Sequence, residues 1–346
     1  MNGDGFGGAS GGWRHVPESA IARAAEILDR GGLVAFPTET VYGLGADAHN
    51  AAAVAGVFAA KGRPADHPLI VHIQDADQMR RYARDIPPVA WRLAEHFWPG
   101  PLTLILPRGP GVPDAVTGGQ DTIGLRIPGH PVALALLKAF GRGVAAPSAN
   151  PFGGVSPTTA THVAFGLGHA VDAILDGGAC AVGLESTILD LSGPVPRLLR
   201  PGAVGPRALA AIIGRVPAFA TSGGPRAPGC LPSHYAPATP LRLVTDPDRE
   251  WRHAPRPLAV MALHPPAQGT VRCRWLVMPR AAGAYAHALY ARLRAVDRWG
   301  CRMVLVERPP TTEAWDAVRD RLGRAARATA VPEAVGHRRS GAARPK

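Results

Sequence analysis

The sequence predicts an α/β protein of two domains, and three observations lead to this fold class. Short apolar segments alternate with helix-like segments between about residues 17 and 212, and prolines border several of the predicted strands. Residues 213–240 then change to a composition rich in glycine and proline, which is typical of linkers. The alternation of strands and helices resumes after this segment. A chain of 346 residues is long enough to form two hydrophobic cores.

In the first domain, each predicted element has a local sequence reason. Pro17-Glu18-Ser19 opens a helix whose apolar residues recur at helical spacing, and Gly31-Gly32 ends it. An alanine-rich segment predicts a second helix that ends at Lys61, and a proline at the first position begins a third over residues 131–140. Short apolar runs predict the strands, which are 33–36, 69–73, 102–106, 122–127 and 143–147.

Beyond the linker, the sequence predicts a smaller α/β domain over residues 241–330. Strands are expected at 258–263, 275–278 and 303–307, and helices at 284–297 and 313–326. Strands that alternate with helices at this spacing favour a parallel sheet covered by helices. Two terminal segments stand apart, a glycine-rich lead over residues 1–12 and a basic tail over residues 331–346.

Composition limits the possible classes of function. The apolar fraction is 46%, yet no uninterrupted apolar stretch approaches the length of a membrane span. The first residues carry neither the basic region nor the apolar core of a secretion signal, so we expect a cytoplasmic protein without membrane contact. The four cysteines are far apart and match no metal-binding or redox spacing. We therefore expect reduced thiols and no metal bound by side chains.

The net charge of +12 suggests a nucleic-acid partner, but the composition favours another explanation. Only Lys61, Lys138 and Lys346 are lysines, and the other basic residues are arginines scattered along the chain. Together with 41 glycines and 36 prolines, this bias is that of a GC-rich genome. The charge alone therefore does not establish a polynucleotide-binding face.

One glycine motif resembles a dinucleotide fingerprint without meeting its geometry. Gly43-Leu44-Gly45 follows a predicted strand, as the fingerprint requires, but six residues, Pro37 to Tyr42, lie between them. In a dinucleotide fold the first glycine directly follows the strand, so that the pyrophosphate meets the helix N-terminus. A P-loop is also absent, since no lysine stands in the required glycine frame. A nucleotide would have to be bound by another arrangement.

Lys61-Gly62-Arg63-Pro64 provides one such arrangement. Two cations two residues apart can contact adjacent phosphates if they point inward, Arg63 as a planar fork and Lys61 as a point charge. The alternative is a solvated helix end that favours cations through the helix dipole. Ser148-Ala149-Asn150, followed by glycines and Ser156, would let hydroxyls and backbone amides approach an anion. The alternative for this second segment is a turn with a helix cap at Ser156 or Thr158.

Two further residues fit the binding of a small charged molecule. Arg126 lies at the end of an alternating strand, which places it on one face with Thr122 and Gly124. In that position it could bind a carboxylate with two parallel hydrogen bonds. The alternative is an arginine on an edge strand that points into water. His72 lies within an apolar strand and is either part of a site or a satisfied core histidine.

Taken in order, the motifs resemble the YrdC-like family of threonylcarbamoyl-AMP synthases in its long, two-domain form. The similar segments are 37–44, 61–64, 68–72, 98–103, 124–128, 147–150 and 185–187, with Pro228-Gly229 and His234-Tyr235-Ala236-Pro237 farther on. The match covers about residues 17 to 205 in the first domain. It implies a YrdC-like catalytic domain with a twisted mixed sheet over residues 13–212. A linker or lid over 213–240 and a Rossmann-like α/β domain complete the implied architecture.

The resemblance also implies roles for individual residues. The signature set, implied to be catalytic, consists of Lys61, Arg63, Ser148 and Asn150. The residues implied to bind L-threonine are Thr40, His72, Arg126, Ala146 (through its backbone) and Ser186. The residues implied to bind ATP are Arg63, His67, Thr122, Ser148, Ser156, Arg200 and Tyr235.

The reaction implied by the resemblance joins L-threonine, bicarbonate and ATP into threonylcarbamoyl-AMP and pyrophosphate, with Mg²⁺ accompanying ATP. A partner complex would then transfer the threonylcarbamoyl group to tRNA. Such chemistry requires positioning and charge neutralisation rather than a catalytic triad, which fits the hydroxyls and arginines of the motifs. Two alternatives remain open at this point. One is a non-catalytic RNA-binding module, and the other is a related carbamoyl-adenylate chemistry, as in hydrogenase maturation.

Overall fold

A computed structural model describes residues 13–220, 224–231, 234–267 and 273–329. The predicted lead (1–12) and basic tail (331–346), together with parts of the predicted linker, lie outside these residues. Within them, no helix is long and apolar enough to cross a membrane. The helices are α1 (Glu18–Asp29), α2 (Ala51–Lys61), α3 (Met79–Tyr82), α4 (Pro88–Phe97), α5 (Asp114–Thr117), α6 (Pro131–Phe140), α7 (Ala160–Leu167), α8 (Pro206–Ile213), α9 (Pro247–Glu250), α10 (Ala282–Arg298) and α11 (Asp316–Ala328).

A ten-stranded mixed sheet forms the centre of the first domain. Its strands are β1 (Val34–Phe36), β2 (Gly43–Asp47), β3 (Ile70–His72), β4 (Leu102–Pro107), β5 (Thr122–Arg126), β6 (Val144–Ala145), β7 (Ala173–Ile174), β8 (Thr187–Asp190), β9 (Arg197–Arg200) and β10 (Ala218–Phe219). Their order across the sheet is β10-β9-β8-β4-β5-β3-β6-β2-β1-β7. The strands predicted from apolar runs are all present, and the mixed α/β fold class is confirmed.

The second domain is built on four strands, β11 (Leu241–Val244), β12 (Leu258–Ala262), β13 (Arg274–Val277) and β14 (Met303–Glu307). They lie in the order β11-β14-β12-β13, and every pair is parallel, as the alternation of strands and helices predicts. The sequence analysis does not predict strand β11. It is only four residues long, Leu-Arg-Leu-Val, and it directly follows the proline-rich segment, so its apolar pattern is too short to stand out. Helices α10 and α11 bury Leu289, Leu293 and Leu322 in the core of this domain.

Helix α1 packs its apolar face against helix α6 of the first domain. The residues Ile21, Ala24 and Leu28 recur at helical spacing and are buried, as predicted. They belong to one apolar cluster with Leu136 and Phe140 of α6, which pack on the same side of the sheet. Burial of one such large side chain contributes about 1.5–3 kcal/mol. The two helices therefore pack on strands β1 and β6 through the same apolar cluster.

Helix α2 leads directly to the Lys61-Gly62-Arg63 segment. Its N-terminus is capped by Asn50, whose side-chain oxygen accepts hydrogen bonds of 3.1 Å from the amides of Ala52 and Ala53. At the other end, Gly62 adopts a left-handed conformation with φ of 61°. This conformation favours glycine and reverses the chain within one residue.

Asn50→Ala is expected to lower the free energy of unfolding of the first domain by about 1 kcal/mol, because two amides of α2 lose their acceptor. Urea unfolding followed by circular dichroism measures this difference. Asn50→Asp, which keeps a capping oxygen, is the matched control and is expected to unfold near the wild-type midpoint. Equal stability of the alanine variant and the wild type would contradict the capping role.

Candidate active site

The ends of several strands meet at one pocket in the middle of the large sheet. His72 and Arg126 end the parallel strands β3 and β5 and are partners in their register. Ala146 follows β6, Ser186 precedes β8, and Arg200 ends β9. The residues that line the pocket are Thr38, Thr40, Val41, Gly43, Arg63, Ile70, His72, Arg126, Ala146, Pro147, Ser148, Glu185, Ser186, Arg200, Pro228, Gly229, His234 and Tyr235.

Nine of the residues expected to form a site line this pocket. They are Thr40, Arg63, His72, Arg126, Ala146, Ser148, Ser186, Arg200 and Tyr235. Five others, Lys61, His67, Thr122, Asn150 and Ser156, do not line it. Sequence reasoning gave no role to Thr38, Glu185 or His234, which do. The pocket therefore gathers residues from eight stretches of the sequence, spread between Thr38 and Tyr235.

Arg126 is buried and firmly held. Its Nε donates to the carbonyl of Gly100 at 3.1 Å, and its Nη1 donates to Thr40 Oγ1 at 2.9 Å. Its Nη2 lies 2.6 Å from Glu39 Oε1, an ion pair whose atoms are not aligned for a hydrogen bond. The other Glu39 oxygen, Oε2, accepts from the amide of Gly129 at 2.8 Å. The alternative of a water-exposed edge arginine is therefore wrong.

Arg200 and Arg63 bring two more cations to the pocket. Arg200 donates to the carbonyl of Ser186 at 3.0 Å and to the Ser186 hydroxyl at 3.1 Å. Its third contact is the carbonyl of Pro228 at 2.8 Å, which joins the linker to the large sheet. Arg63 donates to the carbonyl of Pro68 at 2.9 Å, and burial lowers its pKa to about 10, so it remains charged at neutral pH.

Lys61 does not share the pocket with Arg63. Its side chain is buried, and Nζ donates to the carbonyls of Ser148 and Asn150, both at 2.5 Å. Burial and the neighbouring Arg63 hold the pKa of Lys61 well below its usual value. That Lys61 contacts phosphates stays a prediction, since its Nζ is held by these two carbonyls and the residue does not line the pocket. Its contacts fix the turn that carries Ser148, and the alternative of a solvated helix end is wrong.

Asn150 and Ser156 do not line the pocket, but their side chains hold residues next to it. Asn150 Nδ2 donates to the carbonyls of Pro151 at 2.7 Å and Gly154 at 3.0 Å. The hydroxyl of Ser156 donates to Glu185 Oε1 at 2.5 Å. Ser156 thus contacts a pocket residue without lining the pocket, and it does not cap a helix.

His67 and Thr122 lie farther out. His67 contacts the ring of Phe152 edge-on at 5.3 Å, and Phe152 in turn lies 5.8 Å from the Arg63 guanidinium. Thr122 begins β5 and is partly exposed, four residues from Arg126 along the strand. At about 3.3 Å per residue it is about 13 Å from the arginine end. Neither side chain is placed for contact with the centre of the pocket.

Two histidines line the pocket in neutral form. Burial, together with the nearby Arg126, lowers the pKa of His72 to about 3. Burial likewise lowers the pKa of His234 to about 3. His234 packs edge-on against Tyr235 at 4.2 Å, and Tyr235 is held in the left-handed region with φ of 60°. The linker therefore contributes an ordered aromatic wall.

These histidines predict a pH-dependent stability. The folded state binds fewer protons than the unfolded chain, whose histidines titrate near pH 6.5. The stabilisation is therefore complete above this pH and decreases as the pH falls toward the folded pKa values near 3. His72 and His234 together are expected to contribute a loss of about 2–3 kcal/mol between pH 7.5 and 5.5. His130 and His162, whose pKa values are lowered to about 4 mainly by burial, add to this loss.

Urea unfolding at constant ionic strength measures this loss. His234→Gln is the matched variant, because it removes one titrating ring and is expected to give a shallower pH dependence. Stability that is constant or that rises between pH 7.5 and 5.5 would contradict the neutral state of these rings.

The geometry defines a pocket whose buried arginines and hydroxyl groups suit small anionic ligands. Residues 26–202 match the family profile described as "Telomere recombination", and residues 204–327 match the one described as "Threonylcarbamoyl-AMP synthase, C-terminal domain". The chain belongs to the threonylcarbamoyl-AMP synthase family, whose enzymes are transferases of the nucleotidyltransferase type.

Relatives that span most of the chain support this assignment. The threonylcarbamoyl-AMP synthase of Bacillus subtilis is 39% identical, over 88% of this chain and 92% of its own length. The synthase of Pyrococcus abyssi is 46% identical over 67% of this chain and 70% of its own length. A crystal structure of P. abyssi Sua5 complexed with L-threonine has a TM-score of 0.83 at 36% identity, covering 91% of this chain and 96% of that chain.

Proposed function

We propose that the protein makes L-threonylcarbamoyl-AMP and pyrophosphate from L-threonine, bicarbonate and ATP. The observation that carries this proposal is the convergence of three buried arginines, Arg63, Arg126 and Arg200, on one pocket also lined by hydroxyl groups. A carboxylate, a carbamate and a triphosphate are the anions that such a pocket must neutralise together. The product would serve the threonylcarbamoyladenosine modification of tRNA in the cytoplasm, after transfer by a downstream complex.

The threonine end of the pocket is assigned to Arg126 and its surroundings. The guanidinium would bind the threonine carboxylate, since Gly100 and Thr40 already fix its orientation. A neutral His72, Thr40 and Ser186 offer polar groups for the hydroxyl and amino groups, and Ala146 offers its backbone. The P. abyssi relative, which is 36% identical, binds L-threonine in its crystal structure.

The ATP end is assigned to Arg63, Ser148, Arg200 and Tyr235. Two arginines held by backbone carbonyls would neutralise phosphate charge, and the Ser148 turn would approach the phosphates closely. The Tyr235 ring lies where it would cover the nucleotide. Three residues implied to bind ATP would act at greater distance. His67 would act through Phe152, which lies beside Arg63, and Ser156 through its hydrogen bond to Glu185. Thr122 would act from the first residue of β5.

The chemistry follows from this placement. The threonine nitrogen first forms a carbamate with bicarbonate, with loss of water. A carbamate oxygen then attacks the α-phosphorus of ATP, forming one P–O bond while the bond to pyrophosphate breaks. The protein contributes alignment of the reacting atoms and stabilisation of the charge on the phosphates. Exclusion of water matters as well, because both the carbamate and the mixed anhydride decompose in water.

The described residues do not form a magnesium site of their own. No group of three His, Cys, Asp or Glu side chains among them is placed to hold a metal ion. Glu185 is the one carboxylate among the described residues that line the pocket, and its oxygens already accept from Ser156, Tyr290 and Arg321. Mg²⁺ would therefore enter with ATP, coordinated by phosphate oxygens and water.

The geometry does not favour an RNA-binding module as the second candidate function. The three pocket arginines are at most 8% exposed, so they cannot reach the backbone of a polynucleotide. Binding through scattered surface arginines would weaken steeply with salt and would survive the loss of Arg126.

The deciding experiment is pyrophosphate release from ATP and bicarbonate, with and without L-threonine. L-Serine and L-allothreonine serve as controls for recognition of the methyl and hydroxyl groups. Release that depends on L-threonine and on bicarbonate is expected. Folded protein that releases no pyrophosphate with any amino acid would overturn the proposal.

A further inference from the structure

The second domain places a charged side chain against the wall of the pocket. Arg321 of α11 is fully buried, and its Nε donates to Glu185 Oε2 at 2.8 Å. Its Nη1 donates to the carbonyl of Pro201 at 3.0 Å and to Asp320 Oδ2 at 2.7 Å. An arginine without contact to water is costly unless it is paired. The ion pair with Glu185 therefore joins the two domains at the pocket.

All hydrogen bonds to the Glu185 carboxylate come from residues that do not line the pocket. Besides Arg321, the carboxylate accepts from Ser156 Oγ at 2.5 Å and from Tyr290 Oη of α10 at 3.0 Å. The positive neighbours Arg321 and Arg200 outweigh the effect of burial and lower the pKa of Glu185 to about 2, so it is a carboxylate at neutral pH. Without Arg321, this carboxylate would lose its ion-pair partner, and Arg200 of the pocket would be left to compensate its charge.

The same guanidinium also supports the linker. The carbon at its centre lies 5.1 Å from the middle of the Tyr235 ring. The Tyr235 ring also stacks with the ring of Tyr290, at a centroid distance of 6.1 Å and an interplanar angle of 23°. A non-glycine residue in the left-handed region needs such surroundings to remain there. Two residues of the second domain therefore hold one pocket-lining ring in place.

We propose that Arg321 is a positioning residue for the ATP half of the active site, supplied by the second domain. It neutralises Glu185, so that the pocket keeps the net positive charge of its arginines, and it holds Tyr235 against the pocket. This inference rests on the proposed function, because it assumes that the anion next to Glu185 is a triphosphate. It gives the second domain a part in substrate binding without contact to substrate.

The test begins with Arg321→Met, which preserves volume and removes the charge. We expect the Kd for ATP, measured by calorimetry on the full chain, to rise about tenfold or more, since a buried carboxylate loses its partner. The KM for threonine is expected to change less than about threefold. Arg319→Met is the matched control on the same helix, because Arg319 pairs with Asp316 and does not line the pocket. It is expected to bind ATP as the wild type does.

A double variant separates electrostatics from simple loss of structure. Glu185→Gln added to Arg321→Met removes both charges, and we expect it to recover a large part of the ATP affinity lost in the single variant. A purely structural role predicts that the second change adds to the damage. Wild-type ATP affinity in folded Arg321→Met, or a double variant that binds no better than the single one, would overturn the proposal.

Two additions keep the test decisive. If Arg321→Met does not fold, Tyr290→Phe removes only the hydroxyl that donates to the two oxygens of Glu185, and it is expected to raise the Kd for ATP about threefold. An unchanged Kd would then count against the proposal. A direct measurement of ATP binding also distinguishes failure of the Arg321 proposal from failure of the proposed reaction. Wild-type protein that binds ATP but releases no pyrophosphate would refute the proposed reaction, while the Arg321 comparison would still decide the positioning role.

Discussion

Replacing Arg126 by alanine is expected to raise the KM for L-threonine by about 30- to 1,000-fold, which corresponds to about 2–4 kcal/mol. The substrate carboxylate would lose its partner in a pocket that excludes water, and Glu39 would lose its counter-ion. Initial rates of pyrophosphate release at varied threonine and saturating ATP measure the effect. Wild-type threonine kinetics in this variant would refute the assignment of the threonine end.

A matched control distinguishes the loss of a contact from a general loss of charge. Arg142→Ala also removes an arginine, but this residue pairs with Asp29 and Asp47 away from the pocket. It is expected to leave the KM for threonine unchanged. Since Arg126→Ala also leaves Glu39 buried without its ion pair, thermal unfolding and the KM for ATP belong to the same experiment. We expect the KM for ATP to change less than about threefold.

Ending the chain after Gly214, which closes α8, is expected to reduce activity about 100-fold or more, even where the first domain remains folded. The truncation removes Pro228, Gly229, His234 and Tyr235 from the pocket wall. It also exposes apolar residues of the first domain that pack against the second. These residues are Val41, Val155 and Leu184. Pyrophosphate release and circular dichroism of the same preparation measure activity and folding together.

A chain that ends after Thr329 is the control for this truncation, because it keeps every helix and strand that the structure describes in the second domain and removes only residues 330–346. It is expected to retain activity. A fragment ending at Gly214 that is as active as the full chain would show that the linker and the second domain are not needed for catalysis, and it would also weaken the role proposed for Arg321.

Much of the fold could be predicted because local signals and tertiary packing agree. The helix around Ile21 and Leu28 has apolar residues at helical spacing, a proline before it and glycines after it. The parallel sheet of the second domain follows from strands that alternate with helices. The segment Gly43–Asp47 was harder, since its glycines resemble a loop. It forms an interior strand between β6 and β1, where its neighbours pack so closely that a side chain at Gly45 would collide with Val144 and Phe36.

The site was predicted only in part, for reasons of geometry. Strand ends place Arg126 and His72 side by side, and this follows from sequence once the two strands are parallel neighbours. The inward orientation of Lys61 does not follow, because the carbonyls that hold it belong to Ser148 and Asn150, 87 and 89 positions away. The contact between Glu185 and Arg321 joins residues 136 positions apart. No local pattern marks either residue as a partner of the other.

The inward orientation of Lys61 has a consequence for how the enzyme responds to its surroundings. With the lysine used as an internal brace, the positive charge of the pocket is carried by arginines alone. His72, His234 and Glu185 titrate far below neutrality, and Arg63 titrates far above it. Near neutral pH, these side chains keep a constant charge. These side chains therefore contribute little to the pH dependence of the reaction. Its sources are the reagents, namely the ammonium group of threonine and the balance between bicarbonate and dissolved carbon dioxide, together with Lys61, whose pKa is lowered by burial.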